Sequence, residues 1–348
     1  MLLVVPLAFV SVPQIGVAIE YRGVITRSVV GTDGSLKGTP SLFAFRAEVS
    51  IDRYRISRLA VSGLSCFDEV AGSDGIDCYF LQKRWPSWKE KELHVHYQER
   101  GEVTPGPFPA RASPEIQLTW IVFASHRNLT NGQPIVLSHI SYAPYNELKA
   151  DIKYAVKQDW PESIEVFSPG AELVLGKKHP LPPPFQGGYR LWDLLLATGE
   201  TNGVAYPAKA TFFQYSVFTD LNGRNAELRK ILKIEITTTN IGESSQLSDD
   251  YLPTLSQTNL MALDFRYSPQ IPRPGMGPVD AIQYPLPEGK WLSRTNKQVQ
   301  ASGASVKVET ELANRLANPS NRRYVVLTIL FVGMCVFPLI MIRQAKHR

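Results

Sequence analysis

Two histidines have the spacing of a metal-binding pair. His94 and His96 are separated by one residue, and the surrounding residues 93–97 are predicted to form a short strand. Because alternate residues of a strand point to the same face, both imidazoles could bind one metal ion. Solvated side chains are the alternative, since the charged segment 89–92 comes directly before them. His94 and His96 are therefore the candidate metal ligands of this sequence.

Motifs that carry catalysis are absent elsewhere. The sequence has no glycine-rich phosphate loop, no Gly-x-Ser-x-Gly elbow, no His-Glu-x-x-His helix and no Cys-x-x-Cys pair. Residues 74–77, Asp-Gly-Ile-Asp, resemble part of a calcium loop, but the further acidic residues of such a loop do not follow. A turn is therefore predicted at this position. We expect no enzymatic activity and no cofactor.

Two of the three cysteines could form a disulfide. Cys66 and Cys78 flank a segment rich in glycine and aspartate, which predicts a hairpin. If the turn is centred on Gly72, the two cysteines lie opposite each other and are predicted to form a disulfide. A turn at Asp74-Gly75 would move them out of register, and two buried thiols are the alternative. The third cysteine lies in an apolar segment near the C-terminus.

Alternating hydrophobic patterns dominate the middle of the chain. Apolar residues recur at every second position of residues 43–51, and residues 54–57 continue as a partner strand. Residues 210–218 and 232–239 are two further strands. The pattern predicts a mainly β (α+β) fold, in which a large curved antiparallel sheet or half-barrel carries one or two covering helices.

Two segments are candidates for those helices. Ser113, Pro114 and Glu115 have the order of an N-cap, a first-turn proline and an early acidic residue. The following residues, 116–123, fit a short helix on the sheet, although a strand fits nearly as well. Residues 189–198 predict a second helix, with leucines on one side.

A C-terminal transmembrane helix is predicted from the uncharged run 324–342, which includes Tyr324, Leu330, Phe337 and Ile342. At about 1.5 Å per residue this run reaches roughly 28 Å, close to the thickness of the hydrocarbon core. Basic residues in the tail 343–348 agree with a cytoplasmic C-terminus.

The N-terminus carries a shorter apolar run that is followed by small residues. Residues 1–18 are predicted to be a secretory signal peptide cleaved after Ala18; an uncleaved anchor or a buried first strand is the alternative. Residues 19–293 then form an extracytoplasmic β-rich domain. Residues 294–323, which are polar, form a membrane-proximal linker. The protein is expected in the cell membrane as a single-pass protein, with its N-terminus outside.

The charge pattern does not indicate nucleic-acid binding. The formal net charge is +5, and part of it belongs to the tail 343–348. Outside the flanks of 324–342 there is no dense Lys/Arg cluster of the kind that binds phosphates.

Aromatic residues on the predicted strands suggest an apolar ligand face. Phe43, Phe45, Trp120 and Phe212 could line a concavity of the curved sheet, and such concavities hold lipid chains. The alternative is that these side chains fill an ordinary core.

Two short motifs resemble a known family. Asp74-Gly75-Ile76-Asp77-Cys78-Tyr79 and the later Gly203-Val-Ala-Tyr-Pro-Ala-Lys209 follow the order found in periplasmic lipoprotein-sorting carriers of the localisation-factor A/B type. The resemblance covers roughly residues 19–282 and implies an incomplete antiparallel barrel with an apolar cavity for acyl chains. Those carriers are soluble or lipid-tethered at the N-terminus, so a protein anchored at its C-terminus implies a fixed role at the membrane.

Two functions are therefore expected to compete. The first is a non-enzymatic, membrane-anchored envelope protein that binds a lipid or a lipoprotein acyl chain. The second is a structural or interaction protein of the cell envelope that binds partner proteins through its sheet edges or loops.

Overall fold

A computed structural model describes most of the predicted β-rich domain. The described residues are 18–50, 53–105, 112–126, 149–154, 158–168, 171–174, 177–219, 226–244, 252–256, 260–266, 282–286 and 289–301. Residues 1–17, most of the predicted linker, the predicted membrane span and the basic tail lie outside them. Within the described part of the chain, no helix is both long and apolar enough to cross a bilayer.

One sheet of thirteen strands forms the centre of the structure, which confirms the mainly β prediction. The strand order is β15-β14-β6-β5-β4-β3-β2-β1-β13-β12-β11-β8-β7, and a separate pair joins β9 to β10. The strands are β1 (Ala18–Val30), β2 (Leu36–Val49), β3 (Tyr54–Ser62), β4 (Phe67–Ser73), β5 (Asp77–Arg84), β6 (Gln98–Pro105), β7 (Lys149–Tyr154), β8 (Pro161–Ser168), β9 (Ala171–Val174), β10 (Lys177–Pro180), β11 (Tyr189–Thr201), β12 (Val204–Thr219), β13 (Ala226–Ser244), β14 (Met261–Asp264) and β15 (Ile282–Pro285).

The sheet joins the two halves of the chain through its first strand. β1 to β6 follow one another as antiparallel neighbours, and β1 also pairs with β13 from the second half. β14 adds to β6 in parallel, whereas the other strand pairs of this sheet are antiparallel. Long-range pairing of β1 with β13 therefore makes the large sheet one continuous unit.

The alternating burial of residues along β1 shows which face of the sheet is buried. Tyr21 and Ile25 point to the buried face, while Val24 points to the opposite, exposed face. We call the buried face the inner face and the exposed one the outer face. Gly23 lies at a register shift between β1 and β13, where an added Cβ would be 1.9 Å from the carbonyl oxygen of Thr237. The close approach of these two backbones therefore requires glycine at this position.

Two α-helices and one 3₁₀ turn lie among the described residues: α1 (Trp88–Glu92), α2 (Pro114–Ala124) and Phe185–Gly187. α2 begins after Ser113 with a proline in its first turn. The helical alternative for residues 116–123 is therefore confirmed. Extended backbone at Ser113 and the fixed φ of Pro114 both favour a helix start here over a strand.

The helix predicted for residues 189–198 is wrong, because these residues form β11 between β8 and β12. A register shift between Arg190 and Trp192 interrupts the alternation of the strand. Leu191 and Trp192 are consequently both buried, and Leu194 is buried next. This spacing imitates one face of a helix, although the hydrogen bonds are those of a sheet.

Two hydrophobic clusters stabilise the domain. The larger cluster fills the inner face between α2 and the central strands. The smaller one surrounds β14 and β15 and includes Leu81, Tyr284 and the fully buried Val299. Since Val299 belongs to this cluster, the packed part of the chain extends beyond residue 293, where the β-rich domain was predicted to end.

Candidate functional site

The predicted apolar face lies beneath helix α2. Phe43 and Phe45 project from β2, Phe212 projects from β12, and Trp120 belongs to α2 itself. All four join one buried cluster, and Trp120, the most exposed of them, is 7% exposed. α2 contacts strands on both sides of the sheet centre, from β4 to β12. The structure therefore brings the four residues together, and α2 covers the strand residues among them.

Aromatic rings make the closest contacts between α2 and the inner face. Phe123 stacks on Tyr21 with ring centroids 4.1 Å apart, and it also lies 5.7 Å from the ring of Phe45. Trp120 contacts Tyr54 at 6.1 Å. Such pairs stabilise packing beyond the burial of apolar area alone. Burial raises the pKa of Tyr21, so its hydroxyl stays protonated across the physiological range.

α2 has no polar side facing water. Every residue from Glu115 to Phe123 is buried, which is unusual for a helix of a small domain. Its uncharged polar side chains bond within their own segment: Thr119 Oγ1 donates to the carbonyl of Glu115 at 2.7 Å, and Gln117 Nε2 donates to that of Ala112 at 2.8 Å. The helix therefore packs as a central core element rather than as an amphipathic cover.

Four charged residues meet where α2 begins, and we call them the four-charge cluster: Arg27, Arg58, Glu69 and Glu115. Arg27 Nη1 donates to Glu115 Oε1 at 3.1 Å, and Arg58 Nη1 lies 3.5 Å from Glu115 Oε2. Arg58 Nη2 lies 3.3 Å from Glu69 Oε2. Arg58 and Glu115 are fully buried, while Arg27 reaches the surface. The cluster joins β1, β3, β4 and α2.

The surroundings of this cluster are apolar as well as charged. The Arg58 guanidinium lies 4.3 Å from the ring centroids of both Phe43 and Phe67. Burial raises the pKa of the Glu69 carboxyl, although the charge of Arg58 opposes this effect. Gln82 Nε2 donates to Glu69 Oε1 at 2.9 Å. Because Arg58, Glu69 and Glu115 are buried, their ion pairs can position α2, while Arg27 is the member of the cluster that reaches solvent.

A second group of charges, the β14 cluster, consists of Asp77, Asp264, Arg266, Tyr284 and Arg294. Arg266 binds Asp264 through two nitrogens, with Nη2 2.7 Å from Oδ2 and Nε 3.0 Å from Oδ1. Arg266 Nη2 also donates to the carbonyl of Leu292 at 3.0 Å, and Arg294 Nε donates to Asp77 Oδ2 at 2.7 Å. These bonds attach the last described segment, 289–301, to the end of the sheet.

The predicted strand at the candidate metal ligands is wrong. α1 ends at Glu92 with Leu93 as its C-cap, and the next amides bond back to the helix, from His94 N to Lys91 O and from Val95 N to Glu90 O, both at 3.1 Å. His94 and His96 both have positive φ, of 52° and 53°, and both are exposed. The argument that a strand points both imidazoles to one face therefore fails. Over the described ranges, no group of three or more His, Cys, Asp or Glu side chains is arranged to hold a metal ion.

The predicted disulfide between Cys66 and Cys78 is wrong, because both thiols are free in the structure. The hairpin pairs Ser73 with Cys78, so its turn lies at residues 74–76 rather than at Gly72. The carbonyl of Cys66 instead accepts from Trp85 N at 3.0 Å, at the far end of the hairpin. Cys78 is buried, and its Sγ lies 2.9 Å from Thr104 Oγ1.

Sequence reasoning missed the four-charge cluster, although part of its signal was visible. Arg58 shares its side of β3 with Tyr54, Ile56 and Ala60, all of which are buried. A single charged residue on an otherwise apolar face of a strand indicates a buried ion pair. Its partner Glu115 could not be identified in this way, since it lies on a distant helix.

Comparisons with known proteins add little to this site. No protein-family model matches the sequence, and no curated protein matches it. Among solved structures, the chain is similar to a β-barrel-like protein of the domain of unknown function DUF1849 from Brucella abortus, with 8% sequence identity. The match covers 66% of this chain and 98% of that chain, with a TM-score of 0.22. A TM-score this low supports no argument about fold or function.

Proposed function

We propose that this protein is a non-enzymatic, membrane-anchored interaction protein that displays its β-rich domain outside the cytoplasm and binds a partner protein of the cell envelope. The observation that carries this proposal is the packing of α2. Phe43, Phe45 and Phe212 lie beneath the helix, so the inner face is occupied by the protein's own chain. Surfaces outside that face are therefore the ones left for binding.

The membrane anchor rests on the sequence. The uncharged run 324–342 has the length of a bilayer span, and the basic tail 343–348 favours a cytoplasmic C-terminus. The apolar N-terminal segment 1–18 supports export of the domain. A protein fixed in this way acts at the membrane surface.

The outer face offers apolar contacts for a partner. Leu59 lies opposite Ala44, which lies opposite Val24, so the three form a row across β3, β2 and β1. Leu59 is 48% exposed, Val24 is 40% exposed and the nearby Val61 is 58% exposed. An exposed apolar row on a sheet is a usual part of a protein interface.

The described edges of the sheet are less suitable for strand addition. At one edge, β7 carries the exposed Asp151 and Lys153. At the other edge, β15 has four residues and ends in Pro285. Charged, short or proline-ended edge strands disfavour pairing with another strand. We therefore place partner binding on the outer face and its loops.

Photo-crosslinking in native membranes tests this proposal. A photo-reactive amino acid at position 59 of the full chain should capture one protein in near-stoichiometric yield. The same amino acid at Lys153, on the edge strand β7, is the matched control and should capture little. Purification of the full chain with no associated protein, and no specific adduct at position 59, would contradict the proposal.

A second candidate function is binding of a lipid or lipoprotein acyl chain on the inner face. It is favoured by the aromatic lining, since Tyr21 and Phe45, which pack against Phe123 of α2, would present an apolar surface if the helix moved away. Native mass spectrometry of the full chain, released from detergent, should then detect one tightly bound lipid per protein. Replacement of Phe45 by Asp should abolish that signal, whereas Leu59→Asp on the outer face should not.

A further inference from the structure

We propose that the four-charge cluster fixes the rotation and axial position of α2 on the inner face, acting as a device for conformational specificity rather than for stability. Arg27, Arg58 and Glu69 belong to the sheet, and Glu115 belongs to the helix. The inference does not depend on which ligand or partner the protein binds.

Hydrophobic packing alone specifies the orientation of this helix poorly. An amphipathic helix has one correct orientation, because only one side prefers the core. α2 is buried all round from Glu115 to Phe123, so rotation about its axis exchanges one apolar surface for another. Glu115 is the single charged residue within Pro114–Ala124. It is therefore the residue whose burial depends most strongly on the orientation of the helix.

The contacts of Glu115 come from two directions. Arg27 on β1 reaches one carboxylate oxygen at 3.1 Å, and Arg58 on β3 lies 3.5 Å from the other. β1 and β3 are separated by β2 in the sheet. A rotation of about 100°, or a shift of one residue along the axis, would remove the carboxylate from both arginines and leave buried charges unpaired. Alternative positions of α2 are therefore penalised strongly.

The geometry of the cluster is poor for a stabilising element. Arg58 Nε and Nη1 and Glu115 Oε2 make no hydrogen bond with any part of the chain that the structure describes. Buried charges that are incompletely hydrogen-bonded do not recover the cost of leaving water, and apolar replacements of similar volume are often neutral or stabilising. Specificity of position explains this arrangement better than stability does.

Among the described residues, hydrogen bonds between neutral groups hold the C-terminal end of α2. Tyr154 Oη donates to the carbonyl of Ser125 at 3.0 Å, and Ser125 Oγ donates to the carbonyl of Val122 at 2.7 Å. These bonds join neutral groups, so breaking them by a rotation of the helix would leave no unpaired buried charge at this end. Selection of the rotation therefore comes from the N-terminal end, where Glu115 lies.

Hydrogen exchange on the full chain in detergent micelles tests the proposal. In the triple variant Arg58→Met, Glu69→Leu, Glu115→Leu, we expect amides of 114–124 to exchange at least tenfold faster than in the native protein. Amides of β2 and β3 should keep their native exchange rates, and the urea midpoint should be unchanged or higher. The control is Asp264→Leu with Arg266→Met, which removes a buried pair away from α2 and should leave exchange of 114–124 unchanged.

A single substitution keeps the test decisive if the triple variant does not fold. Glu115→Gln preserves the shape of the side chain and removes its charge, so it should speed exchange in 114–124 more than in β2 and β3. Two results would overturn the inference. One is native protection of 114–124 in a folded triple variant. The other is a uniform loss of protection over helix and strands in Glu115→Gln, which would identify a general stabilising contact.

Discussion

Ser73 lies directly opposite Cys78 in the β4–β5 hairpin, so Cys66 and Cys78 occupy opposite ends of that hairpin. Cys66 and Ser73 are seven positions apart, which at about 3.3 Å per residue corresponds to roughly 23 Å. A disulfide requires Cα atoms less than about 7 Å apart. The two thiols therefore cannot join unless the hairpin is rebuilt.

Alkylation of the full chain should find every cysteine free. The chain has three cysteines, so denaturation without reductant should give three adducts by mass spectrometry. In the folded protein Cys78 should react more slowly than the less buried Cys66, because burial raises the pKa of the Cys78 thiol to about 12 and the thiolate is the reactive form. A sample reduced beforehand is the control. If the unreduced chain takes one adduct and the reduced chain three, the free-thiol assignment is wrong.

The sequence predicted the hairpin but did not decide the position of its turn. Glycine and aspartate in residues 71–77 predicted a hairpin, and the structure contains one. Both Gly72 and Gly75 fit a turn by composition. Gly75 adopts φ of 87°, and Asp74 Oδ1 accepts from the amides of Ile76 and Asp77 at 2.9 and 2.7 Å. These hydrogen bonds favour the turn at Asp74-Gly75. Amino-acid composition alone does not distinguish it from a turn at Gly72.

Gly23→Ala should destabilise the sheet strongly. A methyl group there would lie 1.9 Å from the carbonyl oxygen of Thr237 and 2.8 Å from the Phe45 ring, so β1 and β13 would have to separate. We expect the free energy of unfolding to fall by about 2 kcal/mol or more, as measured by urea titration. Gly242→Ala, on the partner strand β13, is the control, because an added Cβ would contact no atom of the described residues within 4 Å. Equal stability of the two variants would rule out the close backbone approach.

A chain that ends at residue 301 should be more stable than one that ends at residue 293. The longer chain keeps Arg294, which pairs with Asp77, and the fully buried Val299. Burial of one valine contributes about 1.5–3 kcal/mol, whereas the half-exposed Arg294 pair contributes below about 1 kcal/mol. Urea unfolding should therefore separate the two chains by about 2–4 kcal/mol.

Two substitutions in the longer chain identify the source of that difference. Val299→Ala should reproduce a large part of it, because the side chain is fully buried. Lys297→Ala should change the free energy of unfolding by less than about 0.5 kcal/mol, since Lys297 is exposed. If chains ending at 293 and 301 unfold at the same urea concentration, residues 294–301 belong to the linker as the sequence indicated.

The sequence predicted secondary-structure elements correctly where the local hydrophobic pattern was regular. It failed where a register shift between paired strands interrupted that pattern. The alternation of residues 43–51 predicted β2, because one face of that strand is uniformly apolar. In β11 the register shift at Arg190–Trp192 put consecutive residues in the core, and the sequence then imitated a helix. The start of α2 was predicted from Ser113 and Pro114, since caps are local. Its role as a central core helix was not predicted, because that depends on strands far away in the chain.

The same distinction applies to the candidate site. Phe43, Phe45 and Phe212 lie on one face of the sheet because their strands alternate regularly, and Trp120 packs in the same cluster from α2. The partner of Arg58 could not be predicted, because Glu115 approaches it only after α2 packs on the sheet. Charged residues on apolar strand faces can be recognised from sequence, but their ion pairs are decided by tertiary structure.

Glu235→Gln should lower the free energy of unfolding at neutral pH but not at acidic pH. Burial raises the pKa of Glu235, but Lys209 at 2.9 Å and Lys233 at 3.0 Å outweigh that effect and lower it below its usual value. A carboxyl whose folded pKa is depressed stabilises the fold above the unfolded pKa of about 4.5 and loses that contribution as the pH falls through the folded pKa. The variant should therefore lose about 0.5–1 kcal/mol at pH 7 and nothing at pH 2.

Urea unfolding of the Glu235 variant and the native protein at pH 7, 5 and 2 measures this difference. A repeat in 1 M salt distinguishes the loss of the ion pairs from a steric effect of the amide. Salt screens the attraction between the lysines and the carboxylate, so the difference in free energy of unfolding at pH 7 should become smaller. Glu200→Gln, at an exposed position on β11, is the control and should show a smaller dependence on pH. A difference for Glu235→Gln that stays constant from pH 7 to pH 2 would mean that the two lysines do not stabilise the carboxylate, and that the amide disturbs the β12–β13 pairing instead.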